Sequence, residues 1–212
     1  MRSYQQYCSV ARGLDAVGDR WTLLVIRELL LRGACRFTDL KAGLPGIAAN
    51  LLSSRLKDLE ESGIVRRQYA GPPVASNLYD LTEAGVELEP VLRAIGIWGL
   101  RYMADQRPDD AFHAEWLAYA ASWSTDAEPV GPPATIQLDA DGQRAVVELG
   151  SGQVLCRAGS IERADLTLSG PARTILGLLV GRIDARAARK LGLACAGDLQ
   201  LLRRLRPATM AG

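Results

Sequence analysis

The stretch RFTDLKAGLPGIAANLLSSRLKDLEESGIVRRQYAGPPVASNLYDL, Arg36 to Leu81, constrains the fold most, because its hydrophobic period changes partway along. As far as Glu61 the apolar residues recur every three or four positions. From Ile64 to Tyr69 they alternate with polar ones, and the loop AGPPVASN leads to a return strand, LYDL. The first period belongs to helices and the second to strands, which predicts a short helix, a turn at Leu44-Pro45-Gly46, a second helix and a two-stranded hairpin. In the short helix Phe37, Leu40 and Leu44 share a face. In the second, Leu52, Leu56 and Leu59 share a face with Ala48, while Asn50, Ser53, Ser54 and Lys57 fall opposite; Ser62 and Gly63 end it.

That order is the plan of a winged helix-turn-helix, whose second helix lies in a DNA groove. The leucines seat the helix, and short polar groups with one cation form an edge slim enough to approach base edges. The candidate DNA contacts are Asn50, Ser53, Ser54, Arg55 and Lys57 on that helix and Thr38 near the start of the short one. Arg66 and Arg67 at the base of the hairpin and Ser76 and Asn77 near its tip complete the set. Lys plus Arg number 25 against 24 acids, so no global basic field exists; Arg27 to Arg67 alone carries eight cations against five acids. Attraction to DNA must therefore be local, which excludes a histone-like coat and favours a shaped reader.

Before this stretch, Val10, Leu14 and Val17 recur at helical spacing, and Gly18 and Asp19 separate them from a second helix, Trp21 to Leu31, apolar on most sides. Asp19 is expected to cap that helix and Arg20 to be structural, not catalytic. After the hairpin, Thr82 begins a long helix whose face Leu88, Val91, Leu92, Ile95, Trp98, Gly99 and Tyr102 is wider than a small domain needs. Pro90 within it predicts a kink or a new start.

The blocks YCSVARGLDAVGDRWTLLVIRELLL, RFTDL, LPGIAANLLSSRLKDLEESGIV, YDLTEAG and WGL, in that order, resemble the HxlR family of bacterial transcriptional regulators from about Tyr7 to Met103. The resemblance implies a homodimer on a pseudo-palindromic double-stranded operator, each subunit supplying one recognition helix and one wing. It also points to Val10, Leu14, Val91, Ile95, Trp98 and Tyr102 as the dimer seam; the alternative is that Trp98 and its neighbours pack on this subunit's own second domain. Some family members use an N-terminal cysteine as a redox switch, which makes Cys8 a candidate thiol sensor; the plainer expectation is a small buried core residue. One departure is that the family usually has a hydroxyl residue where this chain has Ala48 or Ala49, so a helix-capping or phosphate-binding group is missing.

Composition changes at ADQRPDD, residues 104 to 110. A short helix, AFHAEWLAYAASW, and a linker rich in proline and small residues, STDAEPVGPP, follow. Residues 134 to 168 then hold four candidate strands, ATIQLDA, RAVVELG, QVLCRAG and ADLTLSG, suited to a small antiparallel sheet. Pro171 starts a helix with Ile175, Leu176, Leu179 and Val180, and a last helix, LQLLRRLRP, follows KLGLACAGD. The division expected is 1–107 for DNA binding and dimerisation, 108–133 as helical connector and linker, and 134–212 as an α+β unit. The fold class is α+β overall. From Ala134 to Leu205, through ADLTLSGPARTILGLLVGRIDARAARKLGLACAGDLQLL, the chain resembles the sterol-carrier-protein type of lipid-binding domain. That resemblance implies an apolar small-molecule effector, with Trp116, Tyr119, Trp123, Leu176 and Leu179 as candidate lining residues; for the aromatic three, interdomain packing is the alternative reading.

Four cysteines, Cys8, Cys35, Cys156 and Cys195, are widely spaced, and the single histidine, His113, is near none of them, so no metal site is expected. No cofactor motif, G-x-S-x-G or paired carboxylate suggests an enzyme or lipid carrier with catalytic work to do. No apolar run reaches the ~18 residues of a membrane span, and MRSYQQYC lacks a secretory core; a cytoplasmic protein with no membrane partner is the expectation.

Overall fold

A computed structural model describes residues 3–103, 110–122, 131–150 and 154–205. The chain divides into two compact units, Met1–Asp105 and Gln106–Gly212.

In the first unit, helices α1 (Ser9–Val17) and α2 (Thr22–Arg32) precede a two-residue strand β1 (Cys35–Arg36), α3 (Phe37–Gly43) and α4 (Ala49–Glu61). The hairpin β2 (Val65–Ala70) and β3 (Ser76–Leu81) follows, then α5 (Glu83–Val86), α6 (Glu89–Gly99) and a 3-10 turn, Leu100–Tyr102. Val25, Ile26 and Leu29 of α2 and Leu40 and Leu44 at α3 are buried with Leu52, Leu56 and Leu59 of α4, Ile64, Val65 and Leu81 of the hairpin, and Leu92 of α6. Each helix thus contributes the residues that its 3.6-residue period places on one side. The strand order is β1-β3-β2, all antiparallel, with Arg67 opposite Tyr79 and Cys35 opposite Tyr79 on the other flank.

The expected long helix after the wing is two helices. Thr82 caps the first, its Oγ1 accepting from Gly85 N at 3.2 Å, and α6 restarts with Pro90 in its first turn, where a missing N–H costs nothing. Asp19 does not cap α2. The N-cap residue is Trp21, at φ 80°, and the Asp19 carboxylate is engaged elsewhere.

The second unit comprises α7 (Ala114–Ser122), β4 (Ala134–Ala140), β5 (Gln143–Leu149), β6 (Val154–Ala158), β7 (Leu166–Gly170), α8 (Ala172–Leu179), α9 (Ala185–Lys190), β8 (Ala194–Gly197) and a closing 3-10 segment, Leu199–Leu205. Strand order is β6-β5-β4-β7-β8. The expected antiparallel sheet is mixed, because the chain crosses from edge strand β6 to the far side of β4 and lays β7 parallel to it. KLGLACAGD, expected as a connection, supplies edge strand β8, and the last helix is 3-10. The expected connector helix belongs to this unit: Leu117, Ala118, Tyr119, Ala120 and Ala121 of α7 are buried where it lies on β4, β5 and β6 and against α8. Its alanines permit that close approach. No described helix is long and apolar enough to cross a membrane.

Candidate nucleic-acid interface

Helix α4 exposes Asn50, Ser53, Ser54 and Lys57 and buries Leu52, Leu56 and Leu59, the division its periodicity predicts. Its start lacks a side-chain cap, as the sequence suggested: Ala48 is the N-cap and offers no side-chain bond, while Asn50 Oδ1 accepts from Leu51 N at 2.9 Å. Asn50 thereby satisfies part of what a hydroxyl cap would have done, and its amide group remains available for a base edge.

Each cation has an acidic neighbour. Lys57 Nζ lies 3.7 Å from Glu61 Oε1 and is 75 % exposed. Arg66 bonds Asp80 across the hairpin, and Arg67 Nε lies 3.5 Å from Glu60 Oε1, which ties the base of the wing to the end of α4. Pairs this exposed are worth little in water, so a phosphate can take over the cation at small cost. Arg55 behaves differently. Its side chain is 17 % exposed, and Nη1 donates to Asp19 Oδ2 at 2.6 Å and to Asp58 Oδ2 at 2.7 Å.

Thr38 is exposed on α3 and Asn77 on β3, whereas Ser76 is half-buried with its hydroxyl 3.4 Å from Asn77 O. Two residues absent from the sequence-derived set belong beside these. Arg36, just before α3, donates from Nη2 to Val74 O at 3.0 Å and so fastens the wing loop to the helix-turn-helix. Tyr69 stands exposed on β2 opposite Asn77. An alternation over Ile64 to Tyr69 with the apolar residues inward would turn Tyr69 to the core, so the strand pattern does not mark it, and nothing local in the sequence marks the Arg36 contact.

The seam candidates form a continuous series. Val91, Ile95, Trp98 and Tyr102 follow one another at intervals of four, three and four residues, all exposed, with Trp98 and Tyr102 edge to face at 5.0 Å. Val10 and Leu14 of α1 are also exposed, while the buried residue of that helix is Ala11.

Cys8 is the N-cap of α1 and is exposed, contrary to the core residue expected. The N–H groups of Ala11 and Val10 stabilise its thiolate and hold its pKa below the usual thiol range. Burial pushes Cys35 up to about 11 and Cys156 up to about 12, which leaves both inert. In the second unit Tyr119, Leu176 and Leu179 are buried, Trp116 is half-buried with its ring 4.6 Å from that of His113, and Trp123 lies outside the described residues. Among the described residues no cluster of His, Cys, Asp and Glu could hold a metal ion.

Residues 16–107 match the model of a family described as HxlR-like helix-turn-helix. The chain is 34% identical over 92 residues to the uncharacterized HTH-type transcriptional regulator YvaP of Bacillus subtilis (strain 168), covering 43% of this chain and 84% of that one. It is 35% identical over 82 residues to the HTH-type transcriptional regulator YodB of the same organism, 39% of this chain and 72% of YodB. With the uncharacterized HTH-type transcriptional regulator Rv3095 of Mycobacterium tuberculosis (strain ATCC 25618 / H37Rv) it shares 43% identity over 96 residues, 45% of this chain, and spans only 59% of that relative. A solved structure of reduced YodB is similar over 48% of this chain and all of that one, at 29% identity and a TM-score of 0.41.

Proposed function

Because the chain belongs to the HxlR-like helix-turn-helix family of transcriptional regulators, we propose that it works as a homodimer that reads a two-fold operator, α4 in the major groove and the wing on flanking phosphates. The single observation that carries this reading is the division of α4 into a buried leucine face and an exposed edge of Asn50, Ser53, Ser54 and Lys57. In this mechanism Lys57, Arg66, Arg67, Ser76 and Thr38 meet phosphates, while Asn50 and Ser54 read base edges. Lys57→Ala is expected to weaken binding to all duplexes and to lower the slope of log affinity against log salt by about 0.9, one phosphate contact. Mobility-shift titrations across salt check this; an unchanged affinity and slope would remove Lys57 and this docking of α4.

Two sensor readings attach to that core function. In the first, the C-terminal unit is sterol-carrier-like and an apolar molecule held there shifts the spacing of the two reading heads. Its support is the Ala134–Leu205 resemblance together with the mixed sheet and its covering helices. In the second, Cys8 responds to oxidants; its support is its exposure and lowered pKa at the head of α1, the helix that also carries Val10 and Leu14. One experiment separates them: operator affinity measured on protein purified from its host, after extraction of apolar molecules, and after mild diamide treatment. A change on extraction that persists in Cys8→Ser protein supports the first; a diamide effect abolished by Cys8→Ser supports the second, and no change in either arm removes both.

A further inference from the structure

Arg55 falls within the polar set of α4 in the sequence, yet its guanidinium is turned into the protein, 17 % exposed against 75 % for Lys57 two residues on. Of its two carboxylate partners, Asp58 is an i+3 neighbour on the same helix and orients the side chain locally. Asp19 lies 36 residues away, in the corner between α1 and α2, so that bond joins two elements. At this corner α1 ends on Gly18, and Trp21 adopts φ 80°, a left-handed conformation that a bulky residue keeps only where its surroundings fix it. The leucine face sets how deeply α4 sits in the core. Apolar contacts are not directional, however, and leave a helix some freedom to roll and slide. The charge-assisted bond from Arg55 to Asp19 is directional and sits at the flank of that face.

We propose that Arg55 is a positioning residue: by gripping Asp19 it ties the recognition helix to the α1–α2 corner and sets the angle at which α4 meets the duplex, without touching DNA itself. This rests on the operator-reading function proposed above. Asp19 is 68 % exposed, so the pair is weak enough that its loss shifts docking without unfolding the unit. It also makes α1, which carries Cys8, Val10 and Leu14, mechanically continuous with α4.

The sign of the Asp19 effect distinguishes this role from a simple charge effect. Asp19→Asn removes a negative charge, and through the field alone that would tighten binding to a polyanion; loss of positioning weakens it. The full chain is used to enrich a duplex from a random-sequence library, and the enriched duplex is titrated across salt with wild-type, Arg55→Gln, Asp19→Asn and doubly substituted protein. Each single substitution is expected to weaken binding about three- to tenfold, two copies of the pair acting in one dimer, and the double to be no weaker than the worse single. The salt slope should stay at its wild-type value. A slope lowered by one phosphate contact in Arg55→Gln, or unchanged or tighter binding in Asp19→Asn, overturns the proposal. If Arg55→Gln does not fold, Asp19→Asn alone decides by its sign. Failure of the wild-type protein to enrich any duplex overturns the operator reading and this inference with it, an outcome distinct from the others.

Discussion

Glu28→Ala is expected to lower the thermal midpoint of the N-terminal unit by roughly 10–20 °C, the shift that a loss of about 3 kcal/mol produces in a domain of this size. Glu28 is fully buried in the middle of α2, and its carboxylate is shared between two guanidinium groups. Oε1 accepts from Arg27 Nε at 3.0 Å and Nη2 at 2.7 Å, and Oε2 accepts from Arg32 Nε at 3.0 Å. Breaking a buried charge pair by removing one member costs about 3–5 kcal/mol where both sides are fully enclosed. Arg27 and Arg32 keep 18 % and 27 % of their side-chain exposure, so water recovers part of that and the lower end applies. The carboxylate also faces α3: a Cβ built at Gly43 would meet Glu28 Oε2 inside contact distance, and neither group can move without disturbing the other. Gly43→Ala is therefore expected to destabilise as well, while Glu28→Gln, which keeps the shape but not the charge, should fall between wild type and Glu28→Ala. Thermal unfolding by circular dichroism checks all three; a shift under about 3 °C for Glu28→Ala, less than 1 kcal/mol, would mean that the arginines do not depend on it.

The contrast between Glu28 and Leu52 indicates what a sequence can convey about such a fold. Leu52, Leu56 and Leu59 are legible because burial follows the helical period, and the exposed edge of α4 is legible as its complement. Pro90 likewise marks the restart of the helix after the wing. Glu28 sits inside an apolar helix with nothing in its neighbours to announce that Gly43, fifteen residues on, will close over it. Asp19 precedes a helix and so reads as a cap; its pairing with Arg55 depends on tertiary approach, which periodicity does not encode. Strand β1 has two residues and β8 four, too short for an alternation to register, and the parallel pairing of β4 with β7 is fixed by the path of the chain and not by composition. Cys8 reads as a core residue only from within a helix; α1 begins at Ser9, which leaves Cys8 as its exposed cap.

In the homodimer proposed above, Ile95→Asp is expected to leave the protein folded but monomeric, and to weaken operator binding on the order of 100-fold. On α6 only Leu92 is buried within the subunit, while Val91, Ile95, Ile97 and Trp98 are exposed, followed by Tyr102 and Met103 on the next turn. A single exposed apolar side chain needs no explanation, but Val91, Ile95, Trp98 and Tyr102 share one face of the helix and its continuation, which is the surface the proposed pairing would use. Burying an isoleucine or tryptophan of this kind contributes about 1.5–3 kcal/mol each, and a two-fold axis counts every such residue twice. A carboxylate at position 95 loses that contribution and would be desolvated in both copies, so the dimer is opposed from two directions. The subunit itself has little to lose, because Ile95 is 47 % exposed within it. Thermal unfolding at low concentration should therefore match wild type, which separates loss of the partner from loss of the fold. The effect on DNA follows from geometry: with two recognition helices on one body, binding of the first half-site makes the second intramolecular, and a monomer forfeits that advantage. Sedimentation or light scattering at micromolar concentration, with anisotropy titrations on the same samples, provides the check. A dimer mass that survives Ile95→Asp and a matching Trp98→Asp would move the partner surface off α6 and the two-fold arrangement with it.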